Sequence, residues 1–286
     1  MGKSSVSIEY NPDTQKSMAG ALDRLGDLAV ILKNKHVAVK PNETWASKND
    51  LTACTQADTL DALIIYIKDF RPRKITVTGG SGAAETGEVF KLLGIDKIIK
   101  KHAVEFFDHN RKPFKTIKLM YGPQKEVMVN PYVTQYETLI SLAQLKVHHA
   151  ATVTLTMKNI GMSFPAADYY GHSREKMLHP HNFFIDLDAF IAGMCQRFPI
   201  HLGIISGHPA MTVRGPIGGE TFETGLTIAS RDFVACDSAG AKILGFEGVR
   251  HIMLAQRLKL GNADLSAIKI SGVSLKEAAL PVEKSH

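Results

Sequence analysis

Lysines, histidines and glycines, rather than paired carboxylates, are the residues of this sequence whose types and spacing suit chemistry. The densest group is Lys146, His148, His149, Lys158 and Asn159, in LKVHHAATVTLTMKN. These polar residues flank an apolar, β-branched run, so they belong at a strand end or against a cleft rather than in a core. Two lysines and an imidazole there can hold an anion, and a crowded lysine has a lowered pKa that suits it to work as nucleophile or base. Lysine stems lying along apolar surface, with a core-edge histidine bonded to backbone, are the competing reading. Lys40 and Asn42, in VAVKPN, end a short apolar run, and ligands of open α/β sheets sit beyond the carboxyl ends of strands. A solvated lysine before a turn explains Lys40 as well.

Gly79-Gly80-Ser81-Gly82 lies between a strand pattern and a helix pattern, where the backbone N–H groups of Gly80, Ser81 and Gly82 would cradle a phosphate or carboxylate. It is neither a Walker A loop nor a full GxGxxG, since Glu85 stands at the third glycine position, and a plain tight turn remains open. GHSREKMLHPHNFFIDL gathers His172, His179, His181 and Asp186. His172 and His179 are the metal-ligand candidates, although no HExxH spacing is present and a loop of exposed histidines fits equally. Arg214 and Gly215, in RGPIGG, would close an arginine over a carboxylate or phosphate, or form a turn with a solvated arginine. On this reading Lys146, His148, Lys158 and His179 are the catalytic candidates, with His148 or His179 as general acid or base. Lys40, Asn42, Gly80, Ser81, Gly82, Asn159, Arg214 and Gly215 bind the ligand.

Positioning these groups requires a sheet. Residues 36–42 read as a buried strand, 57–70 as a helix, 74–78 as a strand, and ETGEVFKLLG as a helix closed by Gly94. This βαβα rhythm predicts a parallel sheet. Strand signals at 104–107, 116–122, 126–133 and from Leu139 onward come without long helices and predict antiparallel or mixed additions to it. A helix over 183–194, a strand at 201–206, a glycine-rich loop over 214–225, a helix from 232 and a strand in KISGVSL follow, with a loose tail after Leu280. The expected fold class is α/β, with a mixed, largely parallel sheet flanked by helices. The expected organisation is one domain over 1–286, or two lobes of about 1–135 and 136–286.

With 286 residues, 44% hydrophobic and 22% charged, the composition is that of a folded globular protein and excludes disordered, collagenous and low-complexity classes. The net charge of +6 favours anions. The closest basic run, Lys97, Lys100 and Lys101, has no interleaved aromatics, which disfavours nucleic acid as the partner. Cys54, Cys195 and Cys236 form no CxxC pair, which argues against a disulfide framework, a structural zinc site and a Cys-ligated iron–sulfur cluster. The N-terminal MGKSSVSIEYNPDT has no apolar h-region, and no run reaches the ~18 apolar residues of a membrane span. The expected localisation is cytoplasmic, without a membrane partner and with a homo-oligomer left open.

In order, VAVKPN, KITVTGGSG, LISLAQLKVHHAATVTLTMKNIG, KMLHPHNFFIDL, RGPIGG and ASRDFVACDSAGAKILG resemble the family called domain of unknown function 362 over nearly the whole chain. On the motif positions, the resemblance makes Lys40, Asn42, Lys146, His148, Lys158, Asn159, His179, Asp186, Gly215, Pro216, Asp232 and Asp237 the signature residues. The sequence departs from the pattern at Ser206-Gly207 and Met211–Pro216, where two carboxylates are missing and Arg214 has appeared, which favours a negatively charged ligand. The ferredoxin-like cysteine clusters of many relatives are absent as well. The ten-residue spacing of His148 and Lys158 looks like that of the nickel-pincer lactate racemase family. That similarity implies a lysine anchoring a nucleotide-derived cofactor and a histidine, His172 or His179, holding a divalent metal. The expected function is an enzyme, with acid/base or isomerase-type chemistry on a small carboxylated or phosphorylated ligand. The alternative is a non-catalytic carrier of a metabolite, metal or cofactor.

Overall fold

The computed structural model describes residues 4–172, 174–178 and 185–280. The chain begins with β1 (Ser5–Tyr10), α1 (Thr14–Asp23), α2 (Ala29–Leu32), β2 (His36–Pro41), α3 (Ala57–Lys68), β3 (Lys74–Gly79), α4 (Thr86–Leu93), α5 (Ile95–His102) and β4 (Glu105–Asp108). It continues through β5 (Lys115–Lys118), β6 (Glu126–Val129), β7 (Thr138–His148), β8 (Thr152–Val153), α6 (Leu155–Gly161), α7 (Ala167–Tyr170), α8 (Glu175–Leu178) and α9 (Leu187–Arg197). Last come β9 (Leu202–Thr212), β10 (Glu220–Phe222), β11 (Leu226–Ser230), α10 (Phe233–Ile243), α11 (Arg250–Arg257) and β12 (Lys269–Gly272).

Ten strands form one mixed sheet in the order β12-β1-β11-β9-β7-β2-β3-β4, with β10 paired to β9 and β8 to β7. Strands β9, β7, β2, β3 and β4 are mutually parallel, whereas β11 is antiparallel to both β1 and β9. The fold is α/β, as expected. Burial on both faces explains the unbroken apolar runs of the central strands. On one face Val37, Val39, Ile140 and Leu142 pack with α1 and α3; on the other, Leu139, Ala143 and Leu145 pack with α6, α9 and α10. From adjacent β2 and β7 the chain steps outward in opposite directions, to β3 and β4 on one side and to β9 on the other. Such a switch point opens a crevice at the carboxyl ends of the two strands.

Two expectations from the sequence require correction. The segment from Leu139, expected among antiparallel or mixed additions to the sheet, is a central strand parallel to β2 and β9, and β5 with β6 forms a separate two-stranded sheet. The glycine-rich loop also contains a strand, β10, on β9. The tail after Leu280 lies outside the described residues. Among the described residues no helix is long and apolar enough to cross a membrane.

Candidate functional site

At the switch point lies a cavity of about 340 Å³, walled by the ends of β2 and β7, the glycine loop after β3, and α6. Lys40, at the end of β2, is 3% exposed, and its Nζ donates to Glu43 Oε2 at 2.5 Å and to Asn159 Oδ1 at 2.8 Å. Burial pushes its pKa down while Glu43 opposes the shift. Asn159 is fully engaged, because its Nδ2 donates to Lys40 O and to Ser141 Oγ, both at 3.0 Å. It is a clasp between α6, β2 and β7 rather than a free ligand-binding group.

Glu43, 1% exposed, also accepts the Gly80 N–H at 2.9 Å. An internal carboxylate therefore takes the position expected for an external anion on the loop. The Ser81 N–H is likewise spent, on Thr86 Oγ1 at 3.1 Å. Gly80 and Ser81 instead turn their carbonyl oxygens to Arg174, which is 1% exposed and donates to them at 2.8 and 2.6 Å. Arg174 also donates to Pro165 O, His172 O and Asn110 Oδ1, so a full charge is buried on neutral acceptors. Gly80 permits this packing, since a Cβ there would lie 2.3 Å from Ser163 O. Gly80→Ala is therefore expected to lose about 1–3 kcal/mol of stability by overpacking, measurable by urea unfolding.

Lys158 enters the cavity from α6, whose first turn is fixed from outside. The Asp237 carboxylate on α10 accepts from Thr156 N at 2.8 Å, Thr156 Oγ1 at 2.6 Å and Met157 N at 2.9 Å. Among the described residues, no acceptor or carboxylate bonds the Lys158 amine. Burial lowers its pKa to about 7, helped by Lys146, Lys40 and Arg174. The amine is therefore partly neutral near physiological pH, as suits a base or nucleophile.

His148 and His149 stack with ring centroids 4.9 Å apart, and hydrogen bonds set their tautomers oppositely. His148 Nδ1 accepts the Ala150 N–H at 3.1 Å, which leaves the proton on Nε2. Burial, then Lys158, push its pKa far below the usual imidazole range, so His148 is a neutral N–H donor. His149 Nδ1 donates to Gly215 O at 2.9 Å, so in the neutral ring Nε2 holds the lone pair. A Cβ at Gly215 would lie 2.1 Å from Val147 O, so this close approach needs glycine.

The structure thus brings Lys40, Asn42, Gly80, Ser81, Gly82, His148, Lys158 and Asn159 together around one cavity. Lys146 is not among the lining residues. It alternates to the face of β7 opposite Ser141, is fully buried, and donates to Ala53 O at 2.5 Å and Pro216 O at 3.4 Å. Arg214 is exposed and bonded to Gly218 O at 2.6 Å in its own loop. His172 Nε2 pairs with Glu85 Oε1 at 2.7 Å, away from the cavity lining. His179 and His181 lie outside the described residues. Among the described residues no group of three or more His, Cys, Asp or Glu is placed to hold a metal ion.

Sequence reasoning missed Glu43, Arg174, Thr154 and Ser163. Glu43 follows Lys40 by three residues, which is a readable pairing distance; nothing local marks Arg174, whose burial comes wholly from tertiary contacts. Asn42 Oδ1, Thr154 Oγ1 and Ser163 Oγ are buried at the cavity without a hydrogen-bond partner in the protein. Asp186 and Asp232 act at a distance, as N-caps of α9 and α10.

A search of the curated proteins returns no match. The model of a family described as a domain of unknown function, DUF362, matches residues 37–242, a span that contains every cavity residue named above. With more than half of its length matched, the chain belongs to the DUF362 family.

Proposed function

We propose that the cavity binds a small carboxylated or phosphorylated molecule and performs acid/base chemistry on it. One observation carries this reading: among the described lining residues, Lys40, Lys158 and Arg174 face a single carboxylate, Glu43. Lys40 and Arg174 are buried and Lys158 is half-buried; cations so withdrawn from water with one carboxylate among them are costly, and a bound anion offsets that cost. The partnerless Thr154 and Ser163 hydroxyls supply neutral donors for its oxygens. Proton transfer falls to two groups, the Lys158 amine and the His149 Nε2 lone pair. His148, holding its proton on Nε2, serves as a neutral donor to a developing oxyanion. Apolar Met162, Leu178 and Leu187 complete the wall.

Anion binding and Lys158 protonation must be linked. Lys158 carries its charge below pH 7 and loses it above, so affinity falls as pH rises through that value. Thermal-shift titration with acetate and with sulfate, both fully ionised throughout, is expected to show greater stabilisation at about pH 6 than at about pH 9. Failure of every small carboxylate and of sulfate to stabilise the protein at either pH would contradict the reading.

A further inference from the structure

We propose that Lys158 forms an imine with the carbonyl carbon of a small aldehyde or ketone that carries a carboxylate or phosphate. The proposal rests on the anion-site reading above and deepens it by naming the substrate class.

The lysines of this region differ in what holds them. Lys40 is clamped by Glu43 and Asn159, and Lys146 by the Ala53 and Pro216 carbonyls. Lys158 has no such tie among the described residues, yet it is carried by a helix turn that Asp237 pins with three hydrogen bonds. A free amine on a fixed mount, inside a cavity with its own cations for an anionic substituent, is the arrangement that covalent capture of a carbonyl needs. Burial together with Lys146, Lys40 and Arg174 brings the amine to neutrality near pH 7, so its lone pair is available without a strong base.

The step balances without redox. The Lys158 nitrogen lone pair attacks the carbonyl carbon, a C–N bond forms and the C=O π bond opens onto oxygen. One nitrogen proton passes through His149 Nε2 to the alkoxide oxygen, giving the neutral carbinolamine. The second N–H proton follows the same route as the C–O bond breaks, so the oxygen leaves as water, R–N=C remains and His149 returns to its starting protonation. His148 Nε2–H, Thr154 and Ser163 are the neutral donors available to the oxygen as it gains and sheds charge.

The test is reductive trapping of the full chain with cyanoborohydride in the presence of pyruvate, glyoxylate or glycolaldehyde phosphate, followed by peptide mapping. The expected result is a single adduct at Lys158 that forms faster as pH rises through about 7, is suppressed by excess sulfate, and is absent in both Lys158→Arg and Lys158→Met. Preference for the two oxo acids or for the phosphate distinguishes a carboxylate substrate from a phosphorylated one. Stabilisation by these compounds with no Lys158 adduct overturns the imine and leaves the anion site standing. Adducts spread over exposed lysines such as Lys16 and Lys100, equal in wild type and Lys158→Arg, overturn it too. Absence of any stabilisation, by these compounds or by acetate and sulfate, overturns the anion site itself.

Discussion

Replacing Lys158 with Met is expected to cut anion affinity by about one to two orders of magnitude while leaving the protein folded and more stable. The first effect follows from loss of a charge-assisted hydrogen bond, worth about 1.5–3 kcal/mol. The second follows because Met fills the space of the lysine stem and removes a cation that no carboxylate pairs. The pH dependence has a definite sign. Lys158 titrates near 7 in the folded chain, against an ordinary lysine value of 10.5, so between those values the unfolded chain binds more protons and wild-type stability rises with pH. Lys146, lowered to about 8 chiefly by burial, acts in the same direction. The stability advantage of Lys158→Met should therefore be full below about pH 7 and shrink as pH approaches 10. Urea unfolding across that range, with sulfate titrations alongside, measures both effects. A variant less stable than wild type at pH 6 would show that Lys158 has a structural partner.

Asp237→Ala is expected to have the opposite character, with a large loss of stability and of the site together. The substitution strands three buried donors, Thr156 N, Thr156 Oγ1 and Met157 N. Each unsatisfied buried group costs about 1–3 kcal/mol, so for three donors a loss of about 3–9 kcal/mol is expected. Because those donors form the first turn of α6, Lys158 and Asn159 lose their mount, and the clasp from Asn159 to Lys40 loosens. Anion-induced stabilisation should vanish in any Asp237→Ala protein that still folds at low temperature. A loss under about 1 kcal/mol, with binding intact, would place the anchoring of α6 elsewhere.

The contrast between these two sites shows what was legible before the fold was known. Strand ends at Lys40 and His148 were readable because an apolar run that stops at a lysine or histidine marks where a buried strand emerges. The rule that ligands gather at the carboxyl edge of parallel strands then puts Lys40, the glycine loop and His148 in one place. Lys146 sits in the same run, but a two-residue period says only that it faces away from Ser141, not which face holds the cavity. The glycine loop was readable as a turn, whereas the occupancy of its Gly80 amide by Glu43 depends on tertiary register. Strand β1, SVSIEY, was missed although its residues alternate polar and apolar as a strand's do; that Ser7 is buried like Val6 and Ile8, with its Oγ unpartnered, comes only with the fold. Arg174 was hidden among histidines, and only the fold shows all its donors turned onto carbonyls. The tautomers of His148 and His149 were beyond reach, since they depend on one amide and one carbonyl brought within 3.1 and 2.9 Å.

If this cavity is an anion site whose charge is regulated by Lys158, proton uptake must accompany anion binding. Calorimetric titration of sulfate at about pH 8, in two buffers of different ionisation enthalpy, tests it most directly. Wild-type protein is expected to take up part of a proton on binding, as the anion raises the Lys158 pKa from about 7, and Lys158→Met to take up none. Binding to the wild type with no proton uptake, or equal binding and uptake in Lys158→Met, would contradict it.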